Sequence, residues 1–148
     1  MIGLLTGVLT GVFLSTFSPN IPPEISEHPN IATSQYAVLT LGLQSFFIAL
    51  LREGIFVALG EELFFRGFLG GLLIRRFGFQ IGNLLQAIIF LLPHLLILTV
   101  STTLWPILIP QFIVGWIYGL LLYKSGSILP SWIAHSLSNA FGAVAFMM

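Results

Sequence analysis

The sequence contains no cysteine and no aspartate. The first absence excludes disulfides, thiolate metal ligands and a cysteine nucleophile, and leaves the compartment open. The second leaves acid chemistry to the glutamates alone: Glu24, Glu27, Glu53, Glu61 and Glu62. Charge of either sign is scarce, at 7% of residues against about 25% in soluble domains. Five cations balance five anions without a basic tract, so nucleic acid is not an expected partner. Histidines are few as well: His28, His94 and His135. No repeat or low-complexity tract is present.

What fills the chain instead is apolar: 57% of the 148 residues are hydrophobic and the mean hydropathy is +1.03. Such a composition belongs in a bilayer. The expected fold class is all-α, a polytopic transmembrane bundle of about five to six helices, in one domain over residues 1–148. Localisation follows: an integral, multi-pass protein of a plasma or other energised membrane, with lipids as neighbours. Met1 to Phe17 is uncharged and reads as a retained first helix, since a signal peptide wants Lys or Arg ahead of its apolar run. Ser18 to Ser34 carries Pro22-Pro23, Pro29, Glu24, Glu27 and His28, the make-up of an aqueous loop. Apolar runs follow over Tyr36–Leu51 and Ile55–Ile74, as two helices or one bent at Gly54 or Gly60. Phe79 to about Thr103, Trp105–Tyr123 and Ile128–Met148 complete the set. Arg75-Arg76 and Lys124 are separated by two apolar runs, so both can lie on one side, the cytoplasmic one. With one bent helix over residues 36–74, the Glu24/Glu27 loop then faces outward.

Inside this apolar setting stands Gly60-Glu61-Glu62-Leu63-Phe64-Phe65-Arg66-Gly67. An Arg or Asp at mid-bilayer costs roughly 2.5–3.5 kcal/mol on insertion scales, so these charges need partners or a role. Glu62 and Arg66 are four apart and share a helical face. Glu61 lies about 100° around from Glu62 and is expected to point elsewhere.

The other polar residues in apolar runs agree in depth. At about 1.5 Å per residue, Glu61 lies roughly 21 Å from the Arg75 end and His94 roughly 22 Å from Phe79 at that same end. His135 and Asn139 lie roughly 16 and 22 Å beyond Lys124. One layer therefore holds polar residues from three segments. A carboxylate in low dielectric beside an arginine suits a general base, and a histidine opposite can share its water. Pro93 frees a backbone carbonyl one turn back and bends the helix, which would aim His94 inward. His135 and Asn139, four apart, are spaced for two donors converging on one oxyanion. Amide hydrolysis is the economical reading, since no Ser-His-Asp or Cys-His set can be assembled in this layer.

Glu61-Glu62-x-x-x-Arg66, Phe90-x-x-x-His94 and His135-x-x-x-Asn139 resemble the signature motifs of the CPBP family of intramembrane proteases, also called CAAX prenyl protease type II or Abi. Phe112-x-x-Gly115-x-x-x-Gly119 and Gly126-Ser127-Ile128-Leu129-Pro130 look like its connecting segment. The motif-bearing core runs over about residues 54–139. The resemblance implies an intramembrane endopeptidase acting on a membrane-anchored or lipidated peptide. It implies Glu61 as the base activating water with His94, His135 with Asn139 as the oxyanion site, and Glu62 and Arg66 in support. Members are commonly longer than this chain. No cofactor is expected and a metal-free glutamate mechanism is favoured; a zinc ion, if one is used, would take Glu61, His94 and His135. Three alternatives to the metal-free protease stay open: that metalloprotease, a non-catalytic scaffold or bacteriocin-immunity protein, and a small ion or proton transporter lined by Glu61, Glu62 and Arg66. Oligomeric state is not legible.

Overall fold

The chain folds as an all-α bundle in this computed structural model, which describes residues 1–17, 28, 34–36, 38–144 and 147. The expected loop from Ser18, with Pro22-Pro23, Glu24, Glu27 and Pro29, lies outside the described residues apart from His28 and Ser34. Helix α1 is Ile2–Phe17. Tyr36 closes a single 3-10 turn, Ser34–Tyr36. The next helix begins only at Leu43, not at Tyr36. From there one unbroken helical run passes through Leu43–Arg52, a wider π stretch Glu53–Ala58, Leu59–Glu61 and a second π stretch Glu62–Gly70. It is one helix, not two, and its deformation is spread over the π stretches.

That run continues into Gly71–His94, but Gly78 takes φ 75° and ψ 168°, outside helical geometry. Only glycine adopts such a φ without strain. The chain doubles back there. A Cβ on Gly82 would sit 2.6 Å from Ile74 and one on Gly70 would sit 3.6 Å from Gln86, while the Phe65 and Phe90 rings lie 5.1 Å apart. Partners advance in opposite directions from Gly78, which defines an antiparallel hairpin of α2 (residues 43–77) and α3 (residues 79–94). The apolar run expected to continue to Thr103 leaves α-helix after His94. Pro93 has no N–H for the ladder and crowds the preceding turn, and the chain passes into 3-10 turns Leu95–Thr99 and Thr102–Ile107. Trp105 therefore sits in a connector, before α4, Leu108–Ser125. Gly126, left-handed at φ 68°, ends α4, and α5 is Leu129–Val144.

Two helical stretches, Leu43–Thr99 and Thr102–Ser125, are long and apolar enough to cross a membrane. The distribution of polarity fits that setting. Phe56 is 80% and Phe68 63% exposed, while Glu62, Arg66, Asn83 and Gln86 are completely buried. Large apolar side chains outside and charges inside is the arrangement a lipid solvent selects.

Close approach assembles the bundle. Gly3, Gly7 and Gly11 of α1 lie against Pro130, Ala134 and Phe141 of α5, so these helices run parallel and nearly touch backbones. The Asn83 amide of α3 reaches the Trp116 carbonyl of α4 at 3.0 Å, over Gly119, where a Cβ would overlap that amide. At the same end Phe79 stacks on Tyr123 at 4.4 Å. Overpacking a tight contact costs about 1–3 kcal/mol. Gly119→Ala is therefore expected to lower the melting temperature in detergent. Gly142→Ala, with nothing within 4 Å of the added methyl, is expected to leave it unchanged or raise it slightly. Equal melting of the two variants would contradict the α3–α4 packing.

Candidate active site

Glu62 and Arg66 form an ion pair at 3.2 Å with both side chains at 0% exposure. Two buried charges in low dielectric are stable only where further polar partners complete them. Partners come from three other helices, while Glu62 Oε2 and the Nε and Nη1 atoms of Arg66 make no hydrogen bond. From α4, the Gly115 carbonyl accepts from Arg66 Nη2 at 3.4 Å and from Gln86 Nε2 of α3 at 2.9 Å. From α3, the Phe90 ring lies 4.0 Å from the guanidinium carbon, a desolvated cation–π contact of the kind worth about 2 kcal/mol. Tyr118 of α4 presents its ring at 5.4 Å. From α5, His135 Nδ1 lies 2.9 Å from Glu62 Oε1.

That last bond sets the imidazole. An ionised carboxylate only accepts, so Nδ1 carries the hydrogen and donates. The opposite ring nitrogen, Nε2, stands 3.6 Å from Glu61 Oε2. Glu61 does not point elsewhere, as its angular offset from Glu62 suggested. Adjacent carboxylates flank the two nitrogens of one ring, because the imidazole spans the offset between them. Their exposures differ sharply. Glu62 is sealed at 0% and Glu61 is 30% exposed, so Glu61 is the acid that a substrate or water can reach.

His94 sits at the end of α3, its ring 4.7 Å from Phe90 and its Nδ1 2.9 Å from the Phe90 carbonyl. A carbonyl also only accepts, so His94 carries a hydrogen on Nδ1. It lies within electrostatic range of Glu61, His135 and Arg66. Asn139 faces differently: its Nδ2 donates to Glu53 Oε2 at 3.4 Å. The layer thus brings Glu61, Glu62, Arg66 and His135 into one cluster with His94 beside it, while the Asn139 amide is engaged by Glu53 one turn further along α5. Among the described residues no three His or Glu side chains are grouped as ligands for one metal ion. Grooves of about 610 Å³ beside Ile48, Arg52 and Phe56 and about 250 Å³ beside Leu84 and Trp116 lie away from the cluster.

Several residues at or next to this site were not singled out from sequence. Asn83 and Gln86, polar residues three apart inside an apolar run, were a legible signal. The hydroxyl set of Thr10, Tyr118 and Ser138, bonded at 2.5–3.3 Å, ties α1 to the helices behind the His135 ring, which lies 5.3 Å from Tyr118. Glu53 gave no signal of pairing with a residue so far along the chain.

A helical bundle with apolar outer faces around a sealed acid–guanidinium–imidazole cluster, bordered by a reachable glutamate, fits a membrane protein. The chain belongs to the type II CAAX prenyl endopeptidase, Rce1-like, family, whose model matches residues 43–141, a span containing Glu61, Glu62, Arg66, His94, His135 and Asn139. It is also similar to the UPF0177 protein YxdF of Lactococcus lactis subsp. lactis (strain IL1403), 34% identical over 95 residues. That alignment covers 64% of this chain and 48% of the relative, so the chain spans about half of that relative's length. No solved structure matches it.

Removing one member of a buried ion pair leaves the other uncompensated, at a cost of about 3–5 kcal/mol. Arg66→Met is expected to lose stability on that scale by thermal unfolding in detergent, and Glu62→Gln/Arg66→Met to regain part of it. A single variant as stable as the parent would mean that the pair is not buried.

Proposed function

We propose that the chain is an intramembrane endopeptidase that hydrolyses a peptide bond in a membrane-anchored or lipidated peptide. The observation that carries this reading is the clasp on His135: a sealed carboxylate at Nδ1 and a reachable one, Glu61, at 3.6 Å from Nε2. Glu61 is the general base. It takes a proton from water shared with His94, and the hydroxide attacks the scissile carbonyl carbon. His135, from its Nε2 side, and Asn139 receive the oxyanion. The tetrahedral intermediate collapses, the C–N bond breaks, and Glu61 returns its proton to the leaving amine. Glu62 and Arg66 take no part in bond changes; they hold His135 in register.

No metal is needed for these steps, and the scheme is read as a glutamate mechanism. A zinc ion on Glu61, His94 and His135 is the competing reading, which activity in the presence of a strong chelator tests. The topology we propose has five crossings, with Arg75, Arg76 and Lys124 cytoplasmic. The α2 segment between Arg52 and Arg75 is about 35 Å long, enough for the hydrocarbon core. A non-catalytic scaffold or peptide-immunity role is the second reading, under which Glu61→Gln would leave the phenotype unchanged.

The deciding experiment incubates purified protein with a mixed set of farnesylated and unlipidated peptides, with and without chelator. General-base removal costs about 10²–10⁴-fold, so Glu61→Gln is expected to abolish detectable cleavage while melting like the parent. Asn139→Ala is expected to lose about 10²–10³-fold. Cleavage that survives Glu61→Gln would overturn the assignment of the base; loss of cleavage with chelator would overturn the metal-free scheme.

A further inference from the structure

Glu53 is a carboxylate at 6% exposure that the hydrolytic scheme leaves without a role. It opens the first π stretch of α2, two turns and roughly 12 Å before Glu61. Its oxygens are divided between two donors. Oε1 accepts from the Tyr36 hydroxyl at 2.7 Å and Oε2 accepts from Asn139 Nδ2 at 3.4 Å. Tyr36 is itself buried in a small core with Ala49, Ala143 and Met147, and Arg52 lies 6.0 Å over its ring. Burial first, and then the bond to Glu53, pushes the Tyr36 phenol well above its ordinary range, so it stays a donor.

A carboxamide can turn either end toward a neighbour at little cost, and its oxygen would repel an oxyanion. A carboxylate only accepts, so beside Glu53 the nitrogen end of Asn139 is the one that fits. One N–H is taken by Oε2 and the second remains for an acceptor elsewhere. We propose that Glu53 is a positioning residue for Asn139: by accepting from its Nδ2 it selects the amide orientation that keeps an N–H, not the carbonyl oxygen, available to the reacting group. This rests on Asn139 acting as an oxyanion donor. The Glu53–Tyr36 half of the cluster ties the segment before α2 to the bundle, and the Glu53–Asn139 half serves the site.

The two halves separate by mutation. Glu53→Met removes the acceptor and leaves an apolar side chain in an apolar place. Glu53→Gln keeps one acceptor oxygen for Asn139. Tyr36→Phe removes the clasp alone. Misplacing a transition-state group costs up to about 10²-fold. Glu53→Met is thus expected to lower kcat about tenfold to a hundredfold at unchanged KM, with Glu53→Gln recovering most of it. Tyr36→Phe is expected to lower the melting temperature while largely preserving kcat. A merely structural clasp would make Tyr36→Phe and Glu53→Met lose kcat and melting temperature together, and that result would overturn the proposal, as would wild-type kcat in Glu53→Met. A second readout does not need turnover: the side-chain NH2 resonances of Asn139 in 15N spectra, assigned through Asn139→Ala. They are expected to match in the parent and Glu53→Gln and to shift in Glu53→Met; no shift would overturn the positioning role. If the parent chain cleaves no peptide, the hydrolase reading falls while these spectra still judge the Glu53–Asn139 contact.

Discussion

In a lipid interior no water is at hand to solvate a charge, so the Glu62 carboxylate must be satisfied entirely by protein. Arg66 neutralises it from the same helix and His135 donates to it from another. The groups around the site close on that contact from several helices. Arg66 is buried between α3 and α4 against Phe90, Tyr118 and the Gly115 carbonyl. The hairpin at Gly78 is what brings Phe90 opposite Phe65, next to that arginine. One contact therefore binds α2 to α5 directly and to α3 and α4 through the guanidinium. Its second effect is chemical: by holding Nδ1, Glu62 leaves Nε2 of His135 as the nitrogen that meets Glu61.

The distances that make this possible are set by small residues and amides. Gly115 and Gly119 leave room on α4 for the Phe90 ring and the Asn83 amide, and Gln86 shares the same Gly115 carbonyl as Arg66. The α3–α4 seam is thus a polar ladder laid over a glycine face, extending the ionic cluster toward the Arg75–Lys124 end. On the other side, the α1 glycines let that helix close over α5 and place Thr10 within hydrogen-bonding reach of Ser138 and Tyr118. Tyr118 then backs both His135 and Arg66. Packing and site are one construction, and the exposed apolar faces are left for lipid.

Much of this was legible in the sequence, for a physical reason: in an apolar chain each buried polar residue is costly, so the few present mark where partners must meet. The Glu62–Arg66 pair followed from spacing. The family followed from the motifs themselves. Hydropathy was less informative about helix ends. It carried α3 through Pro93 to Thr103 and began α2 at Tyr36, because apolar residues read alike in helices and in connectors. The angular offset of Glu61 from Glu62 is real, but one imidazole is wide enough to meet both carboxylates, and residue spacing carries no sign of that. The Glu53–Asn139 contact was out of reach altogether, since it depends on how α2 slides along α5.

The central claim is that Glu62 holds His135 by Nδ1–H, and with few histidines in the chain it can be read directly. The measurement is 15N NMR of the imidazole nitrogens in the histidine-labelled protein in lipid, each ring assigned by substitution. The account requires hydrogen on Nδ1 of His135 in the parent, and a marked change of that resonance, and not of His28, in Glu62→Gln. An unprotonated Nδ1, with hydrogen on Nε2 alone, would contradict it.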